Sequence, residues 1–109
     1  MSAPSGSVVE RWRSLNLAEQ LGNIGSEVSR ALNWRQKGDA ARSDHALERG
    51  LELFDFTLAD ARWRGRLKEL ARAREVVCDY FAGANAYGSS PSALLRYFNA
   101  FALAARKNK

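Results

Sequence analysis

The chain has 109 residues, 46% of them hydrophobic and 27% charged, with only two prolines. That is the balance of one small globular domain able to bury a modest core. The single cysteine, Cys78, excludes an internal disulfide, and no apolar run approaches the ~20 residues that span a bilayer. The net charge of +5 is concentrated: between Arg62 and Arg74 stand six basic residues and one acid, Glu69, so the remainder is close to neutral. The opening MSAPSGSVV lacks the apolar core of a secretory signal, and a reduced, cytoplasmic setting is expected.

In chain order, residues 1–7 read as a flexible tail and 8–109 as a single helical domain. VVERWRSL reads as a short turn or helical lead-in. The first long helix is predicted from Asn16 to about Lys37. Asn16 and Glu19 have capping-box spacing, and Gly38 is the stop. Leu17, Leu21, Ile24, Val28, Ala31 and Leu32 recur at helical spacing and form its apolar stripe. Gly22, Ser26 and Ser29 form a strip of small residues beside it. A second helix is predicted from about Ala40 to Asp60, capped by Asp39, with a broad apolar arc through Ala46, Leu47, Leu51, Leu53, Phe54 and Leu58.

A third helix is predicted from about Gly65 to Ala82, with Leu67, Leu70, Ala73, Val77, Tyr80 and Phe81 on one face. Arg74 falls in the middle of that face. GANAYGSSPS then reads as a loop. Ser90 followed by Pro91 is a cap with proline at the first helical position. The fourth helix, about 91–107, buries Leu94, Leu95, Phe98, Phe101, Ala102 and Ala105. The expected fold is all-α, a four-helix up-and-down bundle, because helices joined by such short linkers pack as antiparallel neighbours.

Few residues carry recognisable chemistry. One histidine, His45, and one cysteine, Cys78, make no zinc spacing, and no phosphate loop or dinucleotide fingerprint is present. No cofactor or metal is expected. The RWR triplets at 11–13 and 62–64 alternate tryptophan with arginine, which suits stacking on bases and pairing with phosphates. Arg62, Trp63, Arg64 and Arg66 are therefore candidate nucleic-acid ligands. They also crowd the predicted start of a helix, where the dipole disfavours cations.

Arg74 is the other lead. A guanidinium on an apolar face destabilises the fold unless it is paired. Asp55 and Glu27, at the edges of the neighbouring apolar arcs, are its expected partners, and Arg74 is expected to be mostly buried. REVVCDY, Arg74 to Tyr80, resembles the signature of HEPN-domain proteins, small four- to five-helix bundles. Many of these are dimers that act as ribonucleases or as partners of nucleotidyltransferases. The motif is an arginine, a histidine a few residues on, and often a tyrosine. Here Arg74 matches the arginine, Asp79 holds the histidine position, and Tyr80 follows one residue early. The resemblance makes Arg74, Asp79 and Tyr80, with Asp55 and Glu27, a candidate polar cleft.

The expected function is a non-catalytic binding or assembly module, homodimeric, docking through Gly22, Ser26, Ser29 and Leu103. The alternatives are a HEPN-like ribonuclease or nucleotidyltransferase partner using Arg74 and Asp79, and an RNA-binding module using the 62–74 segment.

Overall fold

A computed structural model describes residues 4–107, apart from the side chains of residues 4–7, 102 and 104–107. The described residues form five α-helices and no strand: α1 (Pro4–Arg13), α2 (Leu17–Gln36), α3 (Ala40–Leu58), α4 (Leu67–Ala82) and α5 (Pro91–Lys107). A 3₁₀ segment, Ala61–Arg66, joins α3 to α4. None of these helices is long and apolar enough to cross a membrane.

The helix boundaries follow their local chemistry. Asn16 caps α2 by accepting from the Glu19 N–H (2.8 Å), and the Glu19 carboxylate accepts from the Asn16 N–H (2.9 Å). That reciprocal pair satisfies two otherwise orphan donors. Gly38 ends the hairpin turn at φ +80°, a left-handed conformation that favours glycine. Asp39 caps α3 by accepting from the Arg42 N–H. The Ser90 hydroxyl accepts from Ala93 N–H at the start of α5.

α2 is the hub. It packs against α3 on one side and α5 on the other, while α4 packs on α3. α2 and α3 are antiparallel: the Ser43 hydroxyl near the start of α3 donates to the Ala31 carbonyl, and Thr57 near its end meets Gln20. The core gathers Leu21, Ile24 and Val28 with Phe54, Leu70, Val77, Leu94 and Phe98, all buried. Phe54 and Phe98 meet as tilted rings with centroids 5.7 Å apart, a favoured aromatic geometry. The shortest dimension of the molecule, 19 Å, is about two helix diameters. The helices therefore lie in two layers.

The structure corrects several expectations. The lead-in is a full helix, α1, which takes in residues 4–7 of the expected tail; residues 1–3 lie outside the described residues. Trp12 of α1 is a core residue. The third predicted helix begins later, at Leu67, because ARWRGR forms the separate 3₁₀ segment, with Trp63 at non-helical φ −104°, ψ 21°. Leu67, assigned to the buried face, is exposed. The side chains of Ala102 and Ala105 lie outside the described residues.

Candidate functional site

Arg74 projects from α4 across the seam to α3. Its Nε donates to Asp55 Oδ1 at 2.9 Å and its Nη2 to Asp55 Oδ2 at 3.4 Å. This is the parallel two-bond geometry that arginine makes with carboxylates. Nη1 lies 3.7 Å from Cys78 Sγ, one helical turn away. The partner Asp55 is as expected, but the burial is not. The Arg74 side chain keeps 33% of its surface and Asp55 keeps 58%. Arg74 stands at the rim of the apolar face, its stem over the seam and its head group toward water.

Asp79 and Tyr80 do not join Arg74. The Asp79 carboxylate faces the loop after α4, accepting from the Ala86 N–H (2.8 Å) and the Tyr87 N–H (3.0 Å). Its backbone carbonyl accepts from Asn85 N–H. These bonds fold the 83–90 loop back onto the end of α4. The Tyr87 hydroxyl ties the same loop to α4 by donating to Glu75 at 2.6 Å, and that bond holds its phenol above the usual tyrosine range. The Tyr80 ring packs edge-on to Phe81 and lies under the Arg35 guanidinium, 5.1 Å from the ring centroid. Glu27 belongs to another place altogether, the α2–α3 contact.

The basic segment is largely engaged within the chain. Arg62 holds Asp60 through Nε–Oδ1 (3.0 Å) and Nη2–Oδ2 (2.7 Å), and its Nη2 also donates to the Leu15 carbonyl at 2.9 Å. Its guanidinium stacks on the Trp63 ring at 4.5 Å. Trp63 Nε1 donates to Gln20 Oε1 at 2.9 Å. Arg66 divides between Glu69 and the Phe101 ring. Arg64 is exposed. The 3₁₀ segment carries Arg62 and Arg64 ahead of α4, whereas Arg66 is the N-cap residue of α4 and stays at the positive end of its dipole.

Sequence reading missed the polar cluster beneath that segment. Gln20 and Thr57 are fully buried, and Trp12 and Asp60 nearly so. Thr57 Oγ1 accepts from Trp12 Nε1 (3.0 Å) and donates to Gln20 Oε1 (3.0 Å). Gln20 Nε2 donates to the Trp12 carbonyl (2.9 Å) and to Asp60 Oδ2 (3.3 Å). Among the described residues, no buried side-chain nitrogen or oxygen lacks a partner. The hydrogen bond from Arg62 lowers the Asp60 pKa from the ordinary 3.8 to about 2, against the opposing effect of burial. Correspondingly, Arg62 is raised by its bond to Asp60. The one available signal was a glutamine, Gln20, on the core side of a helix otherwise lined with leucine and isoleucine.

A second missed group lies about two turns further along the same face of α2, seven positions on from Gln20. The Glu27 carboxylate is nearly buried and accepts from Arg30 Nη1 (2.6 Å) and Arg49 Nε (3.4 Å). Gly50 of α3 faces the Glu27 side chain so closely that a Cβ there would sit 3.4 Å from Glu27 Cβ. That close approach seats Glu27 at the bottom of a trough between α2 and α3. The two arginines stand largely in solvent.

Chemically, these groups hold one another more than they face outward. Among the described residues, no three of His, Cys, Asp and Glu come together as a metal site. Comparison of the chain with family models, with curated proteins and with solved structures gives no match.

Proposed function

We propose that the chain is a non-catalytic helical binding module that works in the cytoplasm as a homodimer. One observation carries the reading. The polar groups expected to form a site are committed inside the chain: Arg74 to Asp55, Asp79 to loop amides, Arg62 to Asp60 and Trp63 to Gln20. A catalytic site needs an acid, base or nucleophile held ready for a substrate. The groups with donors to spare here are exposed arginines on helix surfaces, which is binding chemistry.

On this reading α2 to α5 make an up-and-down four-helix bundle. The Arg35 guanidinium, near the end of α2, lies 5.6 Å over the Phe81 ring near the end of α4. Arg66, at the start of α4, lies 5.5 Å over Phe101 well along α5. The dimer surface is the α2–α5 face. There Gly22 and Ser26 leave an open groove of about 490 Å³, and Leu103 is exposed on α5. Light scattering should give about twice the 12.1 kDa chain mass, and Gly22→Trp should return it to one chain. A wild-type mass of one chain at micromolar concentration overturns the dimer.

A second reading is favoured at one point only. Arg64 and Lys68 are exposed and make no ion pair among the described residues. As an RNA-binding surface they would show a salt slope of roughly 0.7 log units per phosphate contact. The HEPN-like alternative, a ribonuclease or a nucleotidyltransferase partner, rests on Arg74 alone. Incubation with single-stranded RNA should give no cleavage. Cleavage abolished by Arg74→Ala overturns the non-catalytic reading.

A further inference from the structure

The α2–α3 trough has a form of its own. Asn23, Ser26, Glu27, Arg30 and Trp34 line it from α2. They are spaced as one helical stripe spanning 11 positions, about 17 Å at the rise of an α-helix. Arg42, His45, Ala46, Arg49 and Leu53 line it from α3 with the same span, running the opposite way. Two adjoining depressions, of about 630 and about 210 Å³, share Glu27, Arg30 and Arg49 and so form one trough. Val8, Arg11 and Trp12 of α1, with Leu15 of the turn that follows it, close the wider end.

The lining combines two chemistries. The wide end has an aliphatic wall: Val8 is 43% exposed, and Leu15 and Leu53 are half-buried. Above it stand Arg11, Arg30 and Arg49, all exposed, against one carboxylate, Glu27. Arg30 and Arg49 each place one N–H on Glu27, and among the described residues their other N–H groups have no partner. Their shared anchor holds the two guanidinium groups on opposite sides of the trough. At the narrow end the Trp34 ring is already covered by Arg42 at 4.6 Å and Lys37 at 5.2 Å. It offers no free stacking platform, which a nucleic acid strand would use.

We propose that this trough is a docking site for an acidic amphipathic helix of about three turns, presented by another protein. The inference rests on the binding-module reading and names its partner's chemistry. Such a helix fits the ~17 Å length. Its apolar stripe covers Val8, Leu15 and Leu53, and its acidic flanks meet Arg11, Arg30 and Arg49. This is the helix-in-groove mode of recognition with charge complementarity at the rim.

The test uses the full chain and a fluorescently labelled synthetic peptide of about 18 residues, with leucine on one helical stripe and glutamate on both flanks. Anisotropy should report binding that weakens as salt is raised. Arg11→Glu and Val8→Asp should each weaken it about tenfold or more, the scale of one lost interfacial contact. Both positions are exposed and neither strands Glu27, so circular dichroism melts should match wild type. Arg64→Gln, outside the trough, should leave affinity within about twofold. No binding up to about millimolar peptide overturns the proposal. Binding indifferent to both trough variants overturns the site and leaves the binding-module reading intact. Binding of an oligouridylate in place of the peptide, weakened by Arg11→Glu, overturns the partner class. RNA cleavage dependent on Arg74 overturns the underlying reading instead.

Discussion

Two arginine–aspartate pairs flank the passage from α3 to α4, and they differ in everything but their atoms. Arg62–Asp60 closes at 2.7 Å and Arg74–Asp55 at 2.9 Å. Asp60 keeps 4% of its side-chain surface, whereas Asp55 keeps 58%. Asp60 is also bonded to Gln20, and through it to Thr57, Trp12 and Trp63. Asp55 has Arg74 alone. Distance therefore says little about what a pair contributes. Burial of the acid, and the number of other groups that depend on it, decide the outcome.

The largest effect is expected at the centre of the buried cluster. Gln20→Leu strips partners from Thr57, Trp63, the Trp12 carbonyl and Asp60 at once. A loss of about 2–4 kcal/mol is expected, given the cost of unsatisfied buried groups. Urea unfolding measures it. A loss below about 0.5 kcal/mol, the range of an ordinary surface change, breaks the comparison on its buried side.

Acid titration gives the next effect. The folded-state pKa of Asp60 is lowered to about 2, below its unfolded value of about 3.9. The unfolded chain thus takes up this proton first. The stabilisation is fully present above about pH 4 and is lost as pH falls toward 2, to the extent of roughly 2 kcal/mol. Other carboxylates titrate over the same range, so the readout is the difference from Asp60→Asn, whose stability curve should be flatter by that amount. Parallel curves would mean that Asp60 behaves as a surface carboxylate.

The smallest effect belongs to the pair that looks most prominent in the sequence. Arg74→Leu leaves Asp55 in water, and stability should fall by only about 0.5–1 kcal/mol. The change should shrink further at about 1 M salt, where the screening length is a few ångströms. The double variant Arg74→Leu/Asp55→Leu should lie near wild type. A loss of about 3 kcal/mol or more, typical of breaking a buried pair, would place this pair beside Arg62–Asp60 and erase the contrast.

Local chemistry determined much of the molecule. The Asn16–Glu19 capping box, Asp39, Gly38 and the Ser90–Pro91 start act within a few residues of themselves, and periodicity assigned Leu21, Ile24, Val28, Phe54, Leu70, Val77, Leu94 and Phe98 to the interior. That Arg74 would meet an acid was legible too, since an arginine on an apolar arc calls for one, but the choice of Asp55 over Glu27 was not. Nor was the exposure of Arg74. Periodicity places a residue on a face, and only the lateral position of α4 on α3 decides whether that face is sealed or open there. The same limit hid the Gln20 cluster. Gln20 lies 37 positions from Thr57 and 40 from Asp60 in the chain, and a glutamine on the core side of a helix marks a buried polar group without saying which residues it will meet. The 3₁₀ segment was hidden because the bonds that draw Arg62 and Trp63 away from the α4 register run to Leu15 and Gln20, contacts that exist only once α2 is in place. Likewise Glu27, Arg30 and Arg49 become a trough only when Gly50 lets α3 approach α2. Short-range bonding fixes where helices start and stop; which polar groups meet is decided by how those helices are stacked.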